Sequence, residues 1–318
     1  MPFFPSFARF RGITAGKIIT MEATGGNQTF DVVVDGKTYR THVFSSTGLQ
    51  KLNVTRKANS QEYSTLECLV IAGGGGGGYA ENYNINPSGG GGGGGGGIVN
   101  SQYFVTSNSV NIFVGAGGAT SGHGVSGASS YVGESGVFNL TALGGGGGGA
   151  GDGVNGTAAG GANFPENGYV RGADGGSGGG GGRAGNRGFG LQPSYIYPGF
   201  GNDGYAGQGT GAGTVSPAGV GKNGGGGGGA GAAGSGRSGG VGLVYNWHNA
   251  SQTSSLFATG GTGGSMSGRA VGPSAPNNTG SGGSGGSGPH PRNQYGPSIP
   301  GGSGGSGIVV VRYRIDTD

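Results

Sequence analysis

Apolar and polar residues alternate most clearly in FDVVVDGKTYRTHVF (30–44), where two runs flank Asp35 and Gly36 and predict a β-hairpin. Its second strand sets Tyr39, Thr41 and Val43 against Arg40, His42 and Phe44. Neither face is cleanly polar, so the alternation is imperfect. KLNVTRK (51–57) and YSTLECLVIAG (63–73) predict two more strands, and GIVVVRYRID (307–316) a last one. The apolar character of that last strand matches LECLVIAG. The two are expected to be neighbours in one sheet, which would bring the ends of the intervening chain together. Ahead of the hairpin stand Phe3, Phe4, Phe7 and Phe10, in a stretch that two prolines keep from forming a helix. A Phe-rich end of this kind is expected to bury itself in a partner.

Between these strands the pattern changes. Of 91 glycines, 6 lie in residues 1–72, none in 308–318 and 85 in 73–307. Glycine tracts begin near Gly73, Gly89, Gly115, Gly144, Gly175, Gly199, Gly224, Gly260, Gly280 and Gly301. Their spacing is in the range of stacked repeats. The segments between tracts are unlike flexible linkers. YAENYNINPS (79–88), ANFPENGYVRG (162–172), FGLQPSYIYPGF (189–200), LVYNWHNASQTSSLFA (243–258) and PHPRNQYGPSIP (289–300) hold many of the aromatics and the single Trp, Trp247.

Glycine disfavours helix and weakens an ordinary sheet. A left-handed helix of three residues per turn, the polyproline II type, leaves every N–H and C=O free for neighbours. Packed side by side, such helices forbid Cβ atoms at every surrounded position, as in the nine-glycine run Gly89–Gly97. An outer helix could carry one side chain per turn. GGSGGSG at 282–288 and again at 301–307 fits that period, with Ser284 and Ser287 on one outer edge and Ser303 and Ser306 on another. The expected fold class is therefore mostly irregular and β: a polyglycine II bundle (73–307) flanked by a small β domain from 30–72 plus 308–318, after a docking segment (1–29).

Composition narrows the function. Hydrophobic residues are 31%, charged residues 9%, and the formal charge is +4. Residues 73–307 carry 7 basic and 6 acidic side chains, too even a balance for a nucleic-acid surface or a polybasic membrane anchor. No stretch approaches a transmembrane helix. The start of the chain lacks the basic and apolar regions of a signal peptide, so folding in a cytoplasm is expected. The lone Cys68, in LECLVIA, reads as a buried apolar residue.

Enzyme signals are absent. G-x-G-x-x-G recurs by composition alone, outside any βαβ setting. GVGKNG (219–224) puts Asn223 where a phosphate-binding loop needs Ser or Thr. His42, His123, His248 and His290 are scattered without metal-ligand spacing. No close carboxylate pair suggests glycoside hydrolysis, and N-x-S/T sequons are at chance level. No cofactor, no metal and no catalysis are expected. The remaining chemistry is aromatic plus amide: Tyr195, Tyr197 and Phe200 in one loop, Tyr245, Trp247 and His248 in another, His290, Arg292 and Tyr295 in a third. Such sets stack on sugar rings and contact proteins at low entropic cost. The alternative is that they cap the bundle ends.

LVIAGGGGGG, VNIFVGAGG (110–118), TALGGGGGG (141–149) and GGSGGSGIVVVRYR resemble the glycine-rich domains of bacteriophage tail-fibre proteins. The architecture is similar to the receptor-binding adhesins at the tips of T-even-like long tail fibres. The resemblance implies a polyglycine II sandwich whose loops bind a host glycan or outer-membrane protein. It also implies a trimeric fibre shaft as partner, met here by Phe3, Phe4, Phe7 and Phe10, and a place in the virion without nucleic-acid binding or membrane insertion. Those adhesins carry a longer attachment domain than this chain does. A purely structural fibre or decoration protein, or an ice-binding protein, are the alternatives.

Overall fold

A computed structural model describes residues 17–80, 88–133, 139–151, 171–183, 185–192, 199–208, 223–266, 268–288 and 298–316. Fourteen strands appear among them, and one short 3-10 turn at Glu62–Ser64 is the helical content. The class is mostly β.

Two five-stranded sheets form a sandwich. One holds β1 (Glu22–Thr24), β4 (Gly48–Arg56), β7 (Ser109–Val114), β10 (Ser130–Gly133) and β11 (Leu140–Ala142) in that order. The other runs β2 (Gln28–Val34), β3 (Lys37–Phe44), β14 (Ile308–Arg314), β5 (Thr65–Ile71), β6 (Ile98–Phe104). The β2–β3 hairpin turns through Asp35 (φ 50°) and Gly36 (φ 76°), the two positive values that a two-residue hairpin turn of type I′ needs. β14 pairs with β5 antiparallel, Val310 opposite Leu69, as the matched apolar runs predict. β6, β7, β10 and β11 come from inside 73–307, and β1 from inside 1–29. The sandwich is thus not made from 30–72 and 308–318 alone.

Burial on both faces explains the unbroken apolar runs of β5 and β14. Leu66, Cys68, Val70, Val309, Val311 and Tyr313 fill the space between the sheets against Leu52, Val110, Ile112 and Val132. Leu69, Ile71, Ile308 and Val310 point out of the opposite face and are covered by Phe257, Ala258 and Ala230. A sheet buried on both faces reads as a continuous apolar run. Phe257 arrives on a two-stranded ribbon, β12 (Leu243–Tyr245) with β13 (Ser255–Phe257). Two small strands, β8 (Thr120–Ser121) and β9 (His123–Gly124), form a separate pair.

The glycine tracts continue straight out of the sandwich. β5 ends at Ile71 and Gly73 begins a tract; Gly97 leads into Ile98 of β6; Gly307 leads into Ile308 of β14. Within a tract, successive N–H groups donate to different neighbours and the neighbour recurs every third residue. Gly90, Gly93 and Gly96 donate to Gly286, Gly283 and Gly280; Gly91, Gly94 and Gly97 to Gly149, Gly146 and Leu143; Gly92 and Gly95 to Gly225 and Gly228. Their carbonyls accept from three further segments: Gly91 and Gly94 from Gly78 and Gly75, Gly92 and Gly95 from Gly180 and Ser177, Gly90 and Gly93 from Gly264 and Gly261. The nine-glycine run is therefore hydrogen-bonded on six sides, and every residue in it is buried. A Cβ on any of Gly89–Gly96 would lie within 3.0 Å of a neighbouring backbone carbonyl oxygen. None of these glycines has positive φ.

The Gly-Gly-Ser repeats behave as an outer layer. Ser284, Ser287 and Ser303 are half-buried while the glycines between them are buried. Ser306 departs from the expectation. It is buried under the Asn277–Asn278 turn, and its hydroxyl takes the Asn278 N–H at 2.9 Å. Segment 269–276 lies further out still. Ala270 donates to Ser287. The same antiparallel phase would aim the N–H groups of positions 273 and 276 at Ser284 and Ser281. Those carbonyls already accept from Gly302 and Gly305. Proline, which has no N–H, stands at both positions.

Candidate binding surface

Where the backbone runs out, side-chain oxygens complete the array. Gln192, fully buried, accepts the Leu143 N–H at 2.6 Å and donates to the Thr141 carbonyl at 3.3 Å. Its amide stands where a neighbouring peptide would. At the edge tract 185–191, Asp174 accepts the Phe189 N–H (2.8 Å) and Asp203 the Gly190 N–H (2.9 Å). The same carboxylates hold Arg171 (2.6 Å) and Arg187 (3.1 Å). The two guanidiniums then flank the Phe189 ring, 5.0 and 5.5 Å from its centroid.

That edge is the more apolar of two candidate surfaces. Tract 199–205 runs antiparallel beside it, with the Gly204 N–H on the Gly188 carbonyl at 3.1 Å. Phe189, Leu191, Phe200 and Tyr205 stand on the two tracts, each between 40% and 46% exposed. Phe200, one of the residues singled out from sequence, belongs here. Its backbone pairs with Ile98 in both directions.

Tyr245, Trp247 and His248 occupy a second place. Their loop folds over the outer face of the β2–β3–β14–β5–β6 sheet, and all three side chains are half-buried. The Arg312 guanidinium stacks between the Trp247 ring (3.8 Å) and the Tyr39 ring (4.9 Å) and is paired with Glu67 at 2.7 Å. His248 meets Phe257 edge-on at 5.2 Å. Its Nε2 contacts Ser255 Oγ at 3.1 Å and Asn249 Nδ2 at 2.9 Å. Burial lowers the His248 pKa and raises those of Tyr39 and Tyr245, each favouring the uncharged form. Asn249 also closes its own loop, accepting the Thr253 N–H at 3.0 Å. Gln252 (φ 52°) ties the loop to β2 through the Val33 carbonyl at 3.4 Å.

Under this loop lies a cleft of about 90 Å³. Phe30, Val32 and Val34 of β2 form one wall, Thr41 and Arg312 the floor, and Asn246, Trp247, Asn249 and Gln252 the roof. Sequence reasoning reached Trp247 and missed the rest. The signal for Arg312 was present as the one charge inside IVVVRY, an apolar strand that has no reason to carry it unless something covers that face.

Tyr195, Tyr197, His290, Arg292 and Tyr295 lie outside the described residues, as do Phe3, Phe4, Phe7 and Phe10. Among the described residues no group of three or more His, Cys, Asp or Glu could hold a metal ion, and no helix is long and apolar enough to cross a membrane. Cys68 is buried between the sheets, and burial pushes its thiol pKa up, which leaves it an inert core residue.

A sequence profile of a family described as a glycine-rich domain matches residues 50–314. The chain belongs to that family. No curated protein matches it at a significant level.

Proposed function

We propose that this member of the glycine-rich domain family is a non-catalytic adhesin of a bacteriophage tail fibre, in which a polyglycine II bundle presents loops and edges to a host surface receptor. Negative φ, inter-tract hydrogen bonds with a period of three and six neighbours around Gly89–Gly97 are what polyglycine II packing requires. Such an array holds its edges and connecting segments rigidly, and rigidity lowers the entropic loss on binding. The observation that carries the receptor reading is the edge surface of Phe189, Leu191, Phe200 and Tyr205. Large exposed apolar side chains held on adjoining tracts mark interaction sites. Tyr195 and Tyr197 lie in sequence between Leu191 and Phe200 of this edge. Phe3, Phe4, Phe7 and Phe10 are proposed to dock on a fibre shaft.

A structural role without receptor binding is the second reading. What favours it is Trp247, which is spent on covering Arg312 rather than offered outward. Binding to intact candidate host cells separates the two. Wild type is expected to bind saturably, and a variant with Phe189, Phe200 and Tyr205 changed to Ser is expected to lose binding while keeping its melting temperature. Incorporation into a fibre with no binding to any plausible host would replace the adhesin reading with the structural one.

A further inference from the structure

We infer that the cleft under the Trp247 loop is a subsite for the acetamido group of an N-acetylated sugar. Its size is the first constraint. About 90 Å³ is several times what one water needs, roughly 10–15 Å³, and well below the roughly 300–1,000 Å³ of a pocket that engulfs a whole ligand. A substituent of a few heavy atoms fits, and the sugar ring stays outside.

Charge is the second constraint. Arg312 is the one charged residue among the described lining residues, and Glu67 neutralises it at 2.7 Å while Trp247 covers its face. The cleft therefore suits a neutral group. Polarity is the third. Thr41 is 1% exposed and its hydroxyl has no hydrogen-bond partner among the described residues. Register places Thr41 directly between Phe30 on β2 and Arg312 on β14, so it shares their face and lines the floor. A buried, unpaired polar atom calls for a reason. The loop amides divide into two kinds: Asn249 is committed to closing the loop, whereas Asn246 lines the roof without a bond to that framework. One wall is apolar (Phe30, Val32), with Thr41 in the floor and Asn246 in the roof as the uncommitted polar residues. An acetamido group has the matching parts: a methyl for the wall, a carbonyl oxygen for a donor and an N–H for an acceptor.

The subsite rests on the receptor reading for its biological meaning, since N-acetylated sugars would be met on a cell surface. Its test does not. Trp247 is the only Trp in the chain, so fluorescence excited selectively at tryptophan, past the tyrosine absorption band, reports on this cleft. N-acetylglucosamine is expected to give a saturable change in the millimolar range, glucose and glucosamine at least about tenfold weaker responses. Thr41→Val keeps the side-chain shape and is expected to weaken N-acetylglucosamine by about tenfold, as is Asn246→Ala. Thr41→Val removes an unpaired hydroxyl, so its melting temperature is expected to hold. Equal responses to glucose and N-acetylglucosamine, no saturable response to either, or unchanged affinity in both variants would each overturn the subsite. Loss of the subsite with host-cell binding intact would leave the adhesin standing on its edge surface. A fluorescence response without host-cell binding would leave the subsite standing alone.

Discussion

Replacing Gly93 by Ala adds one methyl group at the centre of the array. A Cβ there falls against the carbonyls of Gly75 and Gly76, and the backbone around it is fully used. The Gly93 N–H donates to Gly283 and its carbonyl accepts from Gly261, both at 2.8 Å, while Gly75 donates to Gly94 at 2.8 Å. Room can be made only by moving the 73–78 tract away and stretching those bonds. Overpacking costs about 1–3 kcal/mol, and each buried backbone group left badly paired about 1–3 kcal/mol more. Against this stands about 0.4–1 kcal/mol gained from a stiffer unfolded chain. The net expectation is a loss of about 3–5 kcal/mol, a melting-temperature drop on the order of 10 °C. Two controls isolate the cause. Gly36→Ala meets nothing within 4 Å and carries only its positive φ, a cost of about 1–2 kcal/mol. Ser303→Ala, in the outer layer, is expected within about 0.5 kcal/mol of wild type. Thermal unfolding followed by circular dichroism or calorimetry measures all three. If Gly93→Ala melts with Ser303→Ala, the tract is not packed as described.

Gln192→Leu removes an amide that stands in for a peptide and leaves the Leu143 N–H and the Thr141 carbonyl without it. A loss of about 2–4 kcal/mol is expected in urea unfolding, and an unchanged midpoint would contradict that role. Stability should also fall in mild acid. His42 is stacked on Tyr313 and its Nδ1 reaches the Gly25 carbonyl at 2.8 Å, leaving Nε2 buried without a partner among the described residues. Desolvation lowers its pKa below 6.5, the Gly25 bond opposing, with Arg40 adding to the shift and Asp31 opposing it. The unfolded chain then takes up a proton that the folded chain refuses. The contribution is whole above 6.5 and is lost as pH falls through the lower folded value. Urea midpoints at about pH 7.5 and about pH 5 should differ, and His42→Gln should shrink the difference; His248, shifted the same way, leaves a remainder. Cys68 is expected to resist thiol reagents in the native protein and react only on unfolding, and rapid native labelling would show that the sandwich opens.

Much of the frame was legible in the sequence because it rests on local rules. Asp35-Gly36 names its own turn, the twin apolar runs name a pair of neighbouring strands, and nine glycines in a row admit few ordered structures. The outer serines follow from a period of three. Five sandwich strands, β1, β6, β7, β10 and β11, were missed for a physical reason. Segments such as IVNSQYF and LTA abut glycine tracts and acquire their strand character only by pairing, β6 with β5 and β11 with β10. The cleft was illegible because it is assembled from residues about 200–280 positions apart in the chain. Trp247 stood out by its rarity, but that it would cover Arg312 depends on where the loop lands, which no spacing encodes. The edge of Phe189 and its two arginines was missed likewise, since its carboxylates serve as substitutes for absent backbone.

Hydrogen exchange of the native protein, read over the peptide spanning Gly89–Gly97, tests the central claim most directly. With all of their N–H groups from Gly90 to Gly97 bonded to other tracts, those amides are expected to exchange only through global unfolding, as slowly as the core strands β5 and β14. Exchange at the rate of an unstructured glycine chain, while β5 and β14 stay protected, would mean that the glycines are not an ordered core and that nothing rigid holds the binding surface.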